Sequence, residues 1–270
     1  MYRETTYRYD EKKASLSSLS EKGVEVREAD FSDAQSLETA FKGAERLLLI
    51  SIDAIGQRSE LHKNAVRAAD KAGVKYISYT SMPAADKSPV VFAFEHEATE
   101  RAIAESSIHD WTILRNNWYF ENLPEFFGNV LQTGTWLTAA GQGRSAQIAR
   151  NDLAYAAAAS LAKGQVGQQT LTLNGPNSLT MDEMVALINK ELATNVTVAH
   201  MSDEAYKSQL ESFDLPGGLV AMLTTMDIHG RENYSDGMSS DFETLTGRKP
   251  KSFAAWLKDN REMLLSIANG

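Results

Sequence analysis

The chain of 270 residues has a formal net charge of −9 and contains no cysteine. The acidic balance argues against broad electrostatic attraction to nucleic acid or to an anionic membrane surface. Without cysteine there are no disulfides and no thiolate chemistry, and no apolar run approaches the ~20 residues that span a bilayer. We expect one large globular domain, or a domain with a smaller appendage, in the cytoplasm.

Strand and helix patterns alternate through the first part of the chain, which is typical of an α/β fold. The continuous apolar run of residues 46–51 indicates a strand that is buried on both faces. Spacing and capping signals predict, in order, a short strand over 1–9, an exposed helix over 10–22, a strand over 24–29, a helix from the capping box of Ser32 and Gln35 to Gly43, the strand over 46–51 and a helix over 58–72.

The stretch from Lys75 to Tyr119 organises the rest of the chain. A strand over 75–81, a helix over 91–106 and a strand over 111–115 predict a right-handed βαβ unit. In open parallel sheets, ligands bind beyond the carboxyl ends of the strands. The polar residues that end these two strands are therefore candidate binding residues, with ordinary polar strand ends as the alternative.

The pattern changes after about residue 120. It predicts a short helix or lid over 120–131, an alanine-rich helix over 151–163, and a helix capped by Thr180 and Glu183. We predict a Rossmann-like, doubly wound parallel sheet with a smaller α+β substrate region. Residues 1–120 and about 136–175 would form the dinucleotide-binding domain, and about 120–135 and 176–270 the substrate region.

Several motifs of common enzymes do not occur. The histidines have no metal-ligand spacing, and there is no Gly-x-Ser-x-Gly elbow. No glycine-rich turn follows a first strand, and the pair Gly141 and Gly143 indicates a loop. His96 has glutamates nearby in sequence that would raise its basicity, or it lies on an exposed face. The run Trp118-Tyr119-Phe120 forms either a pocket wall for a flat aromatic ligand or part of a core.

A set of short stretches in a fixed order resembles the NmrA-like branch of the atypical short-chain dehydrogenase/reductases. The resemblance is nearest to the type-two NAD(P)H-dependent quinone oxidoreductases, with triphenylmethane reductases as relatives. The stretches that carry it are Gly23–Phe31, Leu47–Ser51, Ala72–Ser81, Glu95–Glu100, Leu114–Tyr119, Ala139–Gly143, Arg150–Asp152 and Leu245–Pro250.

This resemblance implies roles for particular residues. Arg8 matches the position of an arginine that holds the 2′-phosphate of NADPH, for which a guanidinium fork is suited. NADPH is therefore the expected cofactor, with NADH as a second choice. The implied cofactor-binding residues are Arg8, Asp30, Phe31, Ile50, Ser51, Thr80, Ser81 and Asn117. The implied catalytic residues are His96 and Tyr79, and the implied substrate-binding residues are Trp118 and Tyr119.

The sequence departs from the superfamily pattern at two places. The usual Tyr-x-x-x-Lys falls on Phe92 and His96, so the tyrosine acid is missing, which favours quinone-like acceptors over ketones that need a proton donor. The first strand, its glycine-rich turn and the first helix, on the order of 25 residues, do not precede Arg8. We expect a truncated gene product or, as the alternative, a rebuilt N-terminus, with weak NAD(P)H binding by the chain as written.

Three functions stay open at this point. The first is an NAD(P)H-dependent oxidoreductase that acts on a quinone or similar flat acceptor. The second is a non-catalytic regulator that senses NAD(P), and the third is an inactive remnant. The expected partner is a small quinone-like molecule, without nucleic acid or membrane. A homodimer is compatible with the resemblance, although the sequence does not specify the oligomeric state.

Overall fold

The computed structural model describes residues 16–267. Its strands are β1 (Arg46–Leu49), β2 (Tyr76–Ser81), β3 (Asp110–Asn116), β4 (Thr135–Thr138), β5 (Gln168–Leu173) and β6 (Thr197–His200). Its helices are α1 (Ser17–Ser20), α2 (Ala34–Phe41), α3 (Arg58–Lys71), α4 (Ala93–Ala104), α5 (Leu123–Thr133), α6 (Arg150–Lys163), α7 (Met181–Leu192), α8 (Asp203–Ser212), α9 (Gly217–Arg231), α10 (Asp241–Thr246), α11 (Phe253–Asp259) and α12 (Arg261–Ile267).

A four-stranded sheet has the order β1-β2-β3-β5. Strands β1 and β2 run parallel, with Arg46 opposite Tyr76 and Leu49 opposite Tyr79. Helix α3 connects β1 to β2, and α4 connects β2 to β3, as in successive βαβ units. Strands β4 and β6 form a separate two-stranded parallel sheet. The predicted α/β class with a parallel sheet is confirmed.

The chain divides into two compact units. The N-terminal unit contains the described part of Met1–Thr80 together with Glu95–Ile113 and Ser160–Gln169. The C-terminal unit contains Ser81–Phe94, Leu114–Ala159 and the described part of Thr170–Gly270. The domain boundaries that the sequence suggests stay a prediction.

The core of the N-terminal unit forms where α2 and α3 pack together. Leu37 and Phe41 of α2, Ala65 and Ala69 of α3, and Ile77 of β2 belong to one fully buried cluster. Each large apolar side chain contributes about 1.5–3 kcal/mol when it is removed from water. The small alanines of α3 allow its backbone to lie close to its neighbours, which explains why the predicted apolar face is mostly alanine.

The main core of the C-terminal unit is aromatic. The ring of Phe120 lies 5.1 Å from that of Phe253 and 5.8 Å from that of Trp256, measured between centroids. Helix α7 packs against this cluster through Met184 and Ile188. The tilted ring arrangement adds to the stabilisation that area burial alone provides. It fixes the segment that carries Phe120.

The capping box predicted for α7 is confirmed. The Thr180 hydroxyl accepts a hydrogen bond from the Glu183 N–H at 3.2 Å, and Glu183 Oε2 accepts one from the Thr180 N–H at 2.9 Å. The box predicted for Ser32 is wrong. Asp33 caps α2 instead, with Oδ1 accepting from the N–H groups of Gln35 and Ser36, because its carboxylate reaches both donors.

Other predicted elements differ in part. The strand expected over 24–29 is not among the strands of residues 16–267, although Ala29 at its end is buried in the N-terminal core. Alternation in a sequence reports which side faces the core, whereas a strand needs a run of paired backbone groups, and in residues 16–267 Val26 is the one position of this stretch assigned to a β-bridge. The strand predicted over 1–9 lies outside the described residues. Within the described part of the chain, no helix combines the length and apolar character needed to cross a membrane.

Candidate active site

Two hydroxyl groups meet at the carboxyl ends of β1 and β2 in the N-terminal unit. The Ser51 N–H donates to Thr80 Oγ1 at 2.9 Å, and the Thr80 hydroxyl lies 3.5 Å from Ser51 Oγ. Beside them the Ile50 side chain is 61% exposed, which is unusual for an isoleucine at the end of a buried strand. The structure therefore brings together three of the predicted cofactor-binding residues as an apolar surface next to polar hydroxyls.

The predicted catalytic residues are in direct contact. Tyr79 Oη lies 2.8 Å from His96 Nδ1, and Arg58 Nη1 lies 3.1 Å from His96 Nε2. A guanidinium can only donate, so Nε2 accepts and the neutral ring carries its proton on Nδ1. That Nδ1–H donates to the Tyr79 hydroxyl. Hydrogen bonds thus fix both the tautomer and the orientation of His96.

A second histidine is fixed in the same way. The Ile52 N–H donates to His62 Nε2 at 3.2 Å, so the neutral ring of His62 donates from Nδ1 to Thr99 Oγ1 at 3.0 Å. The Thr99 hydroxyl donates in turn to the Glu95 carbonyl at 2.8 Å. The His62 ring stands edge-on to Tyr79, with centroids 5.6 Å apart. Both histidines are therefore part of the buried wall beneath the end of β2.

Burial, rather than nearby glutamates, controls the charge on these groups. Burial, and then the positive charge of Arg58, lowers the pKa of His96 to about 3, and the same causes lower the pKa of His62 to about 3. Burial also raises the pKa of Tyr79 well above its ordinary value. The expectation that sequence neighbours make His96 more basic is wrong, and so is the exposed alternative, since its side chain is 5% exposed.

The remaining predicted residues of the N-terminal unit lie before α2. Asp30 Oδ1 accepts hydrogen bonds from the N–H and the hydroxyl of Ser32, which lower the pKa of Asp30. The Phe31 carbonyl accepts from Asn64 Nδ2 at 3.2 Å, and its ring lies 6.2 Å from that of His62. Arg8 lies outside the described residues. Each of these assignments as a cofactor ligand stays a prediction.

In the C-terminal unit, Asn117 supports the backbone that carries the predicted substrate residues. Its Nδ2 donates to the Ser235 carbonyl at 2.8 Å, and its Oδ1 accepts from the Trp118 N–H at 2.8 Å. Ser81 begins this unit and is 5% exposed. The preceding residue is Asn116, whose buried Oδ1 has no hydrogen-bond partner among residues 16–267. Such an atom is costly unless a bound donor satisfies it.

The C-terminal unit contains a cavity of about 140 Å³ that the predicted substrate residues Trp118 and Tyr119 line. Its wall is mostly apolar and includes aromatic and methionine side chains, as in sites for flat apolar ligands. Asn122, Ser145 and Gln147 add neutral polar groups. The Trp118 ring packs edge-on against His229, with ring centroids 5.3 Å apart. The other apolar lining side chains are Leu123, Phe126, Trp136, Ala140, Leu179, Met181, Met184 and Met226.

Two charged residues also line this cavity. Arg144 donates from Nη2 to Glu183 Oε2 at 2.8 Å, and the same oxygen belongs to the capping box of α7. Asp227 of α9 accepts through Oδ2 from the Thr138 hydroxyl at 2.9 Å and from the Ala139 N–H at 2.6 Å. Burial raises the pKa of Asp227 to about 6, against the lowering effect of these donors. Burial also lowers the pKa of His229 to about 4.

Sequence reasoning missed Asp227, Arg58 and Thr99. No local signal marks Asp227, because it lies in a mixed helix and only the fold places it in the cavity wall. Arg58 reads as the first residue of a surface helix, yet it is 6% exposed. Within residues 16–267 no group of histidines, aspartates and glutamates could hold a metal ion.

One family model matches nearly the whole chain. The NmrA-like family model matches residues 1–257, and the chain belongs to the NmrA-like family. It is similar to quinone oxidoreductase 2 of Escherichia coli K12, at 37% identity over 86% of this chain and 80% of that protein. It is also similar to an NAD(P)H azoreductase of Xenophilus azovorans, at 22% identity over 91% of this chain and 85% of that protein.

Solved structures agree with this placement. The Escherichia coli NADPH-dependent quinone oxidoreductase complexed with NADPH has a TM-score of 0.89 at 33% identity, covering 97% of this chain and 90% of that one. The Citrobacter triphenylmethane reductase complexed with NADP(H) has a TM-score of 0.84 at 28% identity, covering 96% and 90%. The transcriptional regulator NmrA in complex with NADP reaches a TM-score of 0.77, covering 98% and 89%, but at 16% identity it shows the fold alone.

Proposed function

We propose that this protein is an NAD(P)H-dependent oxidoreductase that transfers hydride to a quinone or a similar flat aromatic acceptor. The observation that carries the proposal is the 37% identity to quinone oxidoreductase 2 over most of both chains. The aromatic cavity beside Trp118 and Tyr119 supports the acceptor class. The regulator alternative is weaker, because the regulator shares the fold at only 16% identity.

The described residues fit a dinucleotide. The exposed side chain of Ile50 offers an apolar surface for an adenine ring, and the hydroxyls of Ser51 and Thr80 are suited to ribose or phosphate oxygens. The buried Oδ1 of Asn116, which has no hydrogen-bond partner in the part of the chain that the structure describes, suits a donor on a bound molecule. With Arg8, Asp30, Phe31, Ser81 and Asn117, these residues are the proposed cofactor-binding set. NADPH, when bound, supplies the hydride.

The cavity of the C-terminal unit is the proposed binding site of the acceptor. Stacking against Trp118 and Tyr119 would hold a flat ring in one plane, and the methionine side chains adapt to its outline. The same apolar wall excludes water from the ring. A short aliphatic aldehyde would gain little from this surface, so aromatic acceptors are expected to react faster.

We assign Tyr79 and His96 to the reaction as a coupled pair. His96 is neutral at physiological pH, and hydrogen bonds engage both of its nitrogens. It therefore acts as a positioning residue for the Tyr79 hydroxyl rather than as a charged acid. Tyr79 in turn fixes the end of β2, from which Thr80 projects.

The test is NADPH consumption by the purified chain, followed by the near-ultraviolet absorbance of the reduced cofactor. We expect steady turnover with p-benzoquinone and much slower turnover with butanal. An NADP-sensing regulator would bind NADPH without consuming it, and faster reduction of butanal would contradict the acceptor class. We also propose a homodimer and a cytoplasmic location, which sedimentation velocity and cell fractionation would check.

A further inference from the structure

Asp227 presents a carboxyl group to the cavity, and among residues 16–267 its two shortest hydrogen bonds fall on one oxygen. Two hydrogen bonds end on Oδ2, from the Thr138 hydroxyl and the Ala139 N–H, and the Ala140 N–H also acts on this carboxyl. The residue lines the same cavity as Trp118 and Met226, so its carboxyl is within reach of a molecule bound there. The other charged residue of the wall, Arg144, is engaged with Glu183 and the Ser178 carbonyl.

The surroundings of Asp227 favour its protonated form more than those of an exposed aspartate do. Burial raises the pKa of Asp227 to about 6, while the Ala139 N–H, the Thr138 hydroxyl and the Ala140 N–H act in the opposite direction. Arg231 on the same helix also lowers the pKa, but it forms an ion pair with Asp203 of α8. A further titratable neighbour is Tyr206 of α8, whose pKa burial raises above its ordinary value, so it is neutral. His229, two residues along α9, is also neutral, because burial lowers its pKa to about 4.

We propose that protonated Asp227 donates a hydrogen bond from Oδ1 to a carbonyl oxygen of the acceptor and passes its proton to that oxygen as the acceptor is reduced. This inference rests on the proposed function. The O–H bond of Asp227 breaks, an O–H bond forms on the acceptor, and the hydride donor supplies both electrons. Solvent then returns a proton to the carboxylate.

The proposal defines a substrate class. A quinone oxygen only accepts hydrogen bonds, so it matches the protonated carboxyl. The hydroxyl of the reduced product donates, so it matches the carboxylate that the transfer leaves behind. Flat acceptors with a carbonyl oxygen should therefore bind better at acidic pH, whereas a cationic flat ligand should bind better when Asp227 is ionised.

The first experiment measures binding of 9-fluorenone, a flat aromatic ketone, by quenching of tryptophan fluorescence, since Trp118 and Trp136 line the cavity. We expect the Kd of the full chain to rise about tenfold between pH 5 and pH 8, as a donor is replaced by a repelling charge. Asp227→Asn keeps a donor but does not titrate, so its Kd should be the same at both pH values. The control Asp259→Asn removes an exposed carboxylate outside the cavity and should behave as the unmodified chain. A pH-independent Kd for the unmodified chain would overturn the recognition.

The second experiment separates proton transfer from binding. At pH 5.5, Asp227→Asn should lower turnover of p-benzoquinone by ~10²-fold, while its Kd for 9-fluorenone changes little. For the unmodified chain, kcat/KM should fall about tenfold per pH unit above pH 6, and for Asp227→Asn it should not. Full turnover by Asp227→Asn would overturn the proton transfer and leave the proposed function standing. If the unmodified chain turned over no quinone at any pH, both the proposed function and the proton transfer from Asp227 would be refuted. The fluorenone titration would then still decide whether Asp227 binds a carbonyl oxygen.

Discussion

Mild acid should destabilise this protein more than its carboxylates alone would predict. His62, His96 and His229 are buried and neutral, with folded pKa values of about 3, 3 and 4 against an ordinary value of 6.5. Below pH 6.5 the unfolded chain takes up a proton at each of these positions and the folded chain does not. Stability is therefore complete above pH 6.5 and is lost as the pH falls towards the folded pKa values.

The size of the effect follows from the pKa differences. An interval of about 1.5 pH units at about 1.36 kcal/mol per proton gives a loss of about 2 kcal/mol per histidine at pH 5. Asp227 acts in the opposite direction, because its raised pKa of about 6 makes the folded chain bind a proton first. It adds about 1.4 kcal/mol at pH 5. The net loss of about 4–5 kcal/mol is large beside the ~5–15 kcal/mol that stabilises a typical domain.

The assay is urea unfolding followed by circular dichroism at pH 7 and pH 5. His96→Gln and His62→Gln should each reduce the difference between the two free energies of unfolding by about 2 kcal/mol, whatever they cost at pH 7. His109→Gln, at an exposed position, is the control and should leave the difference unchanged. If the difference is the same in all three variants and the unmodified chain, the buried histidines are not its source.

Three further variants test the proposed site. Arg8→Ala should weaken NADPH binding at least tenfold and NADH binding less than twofold, because one charge-assisted contact to the 2′-phosphate is lost. Equal losses for both cofactors, measured by calorimetry, would refute the assignment of Arg8 to the 2′-phosphate. His96→Ala should lower turnover about tenfold without changing its pH dependence between pH 6 and 8, since the residue positions Tyr79 while neutral; a changed profile would restore it as an acid. Trp118→Ala should raise KM for p-benzoquinone about tenfold and leave butanal unaffected, and a common loss for both acceptors would argue against stacking.

The sequence predicted the βαβ core well because its signals are local. The apolar run at 46–51 and the β-rich run at 75–81 identify buried strands without any knowledge of their neighbours, and the structure has strands at Arg46–Leu49 and Tyr76–Ser81. The Thr180 capping box was correct for the same reason. The cap of α2 was misplaced by one residue, because Ser32 and Asp33 both suit the position and only the geometry shows that the Asp33 carboxylate reaches two donors.

The electrostatics of the site could not be predicted in this way. The sequence neighbours of His96 are glutamates, but Arg58 and Tyr79 contact its ring, and burial, followed by the charge of Arg58, lowers its pKa. Asp227 has no distinguishing neighbours along the chain. Its raised pKa depends on the burial that the fold gives it.

One carboxylate links the wall of the C-terminal cavity to the start of α7. Glu183 Oε2 accepts both from the Thr180 N–H, as part of the α7 cap, and from Arg144 in the cavity wall. Met181 and Met184 lie on this same first turn and line the cavity. A bulky acceptor that displaced Arg144 would therefore disturb the helix start that positions both methionines. To change the range of acceptors, Met181 and Met184 are the positions to substitute. Glu183 should be kept, because its hydrogen bonds hold the first turn of α7 and so the backbone that carries both methionines.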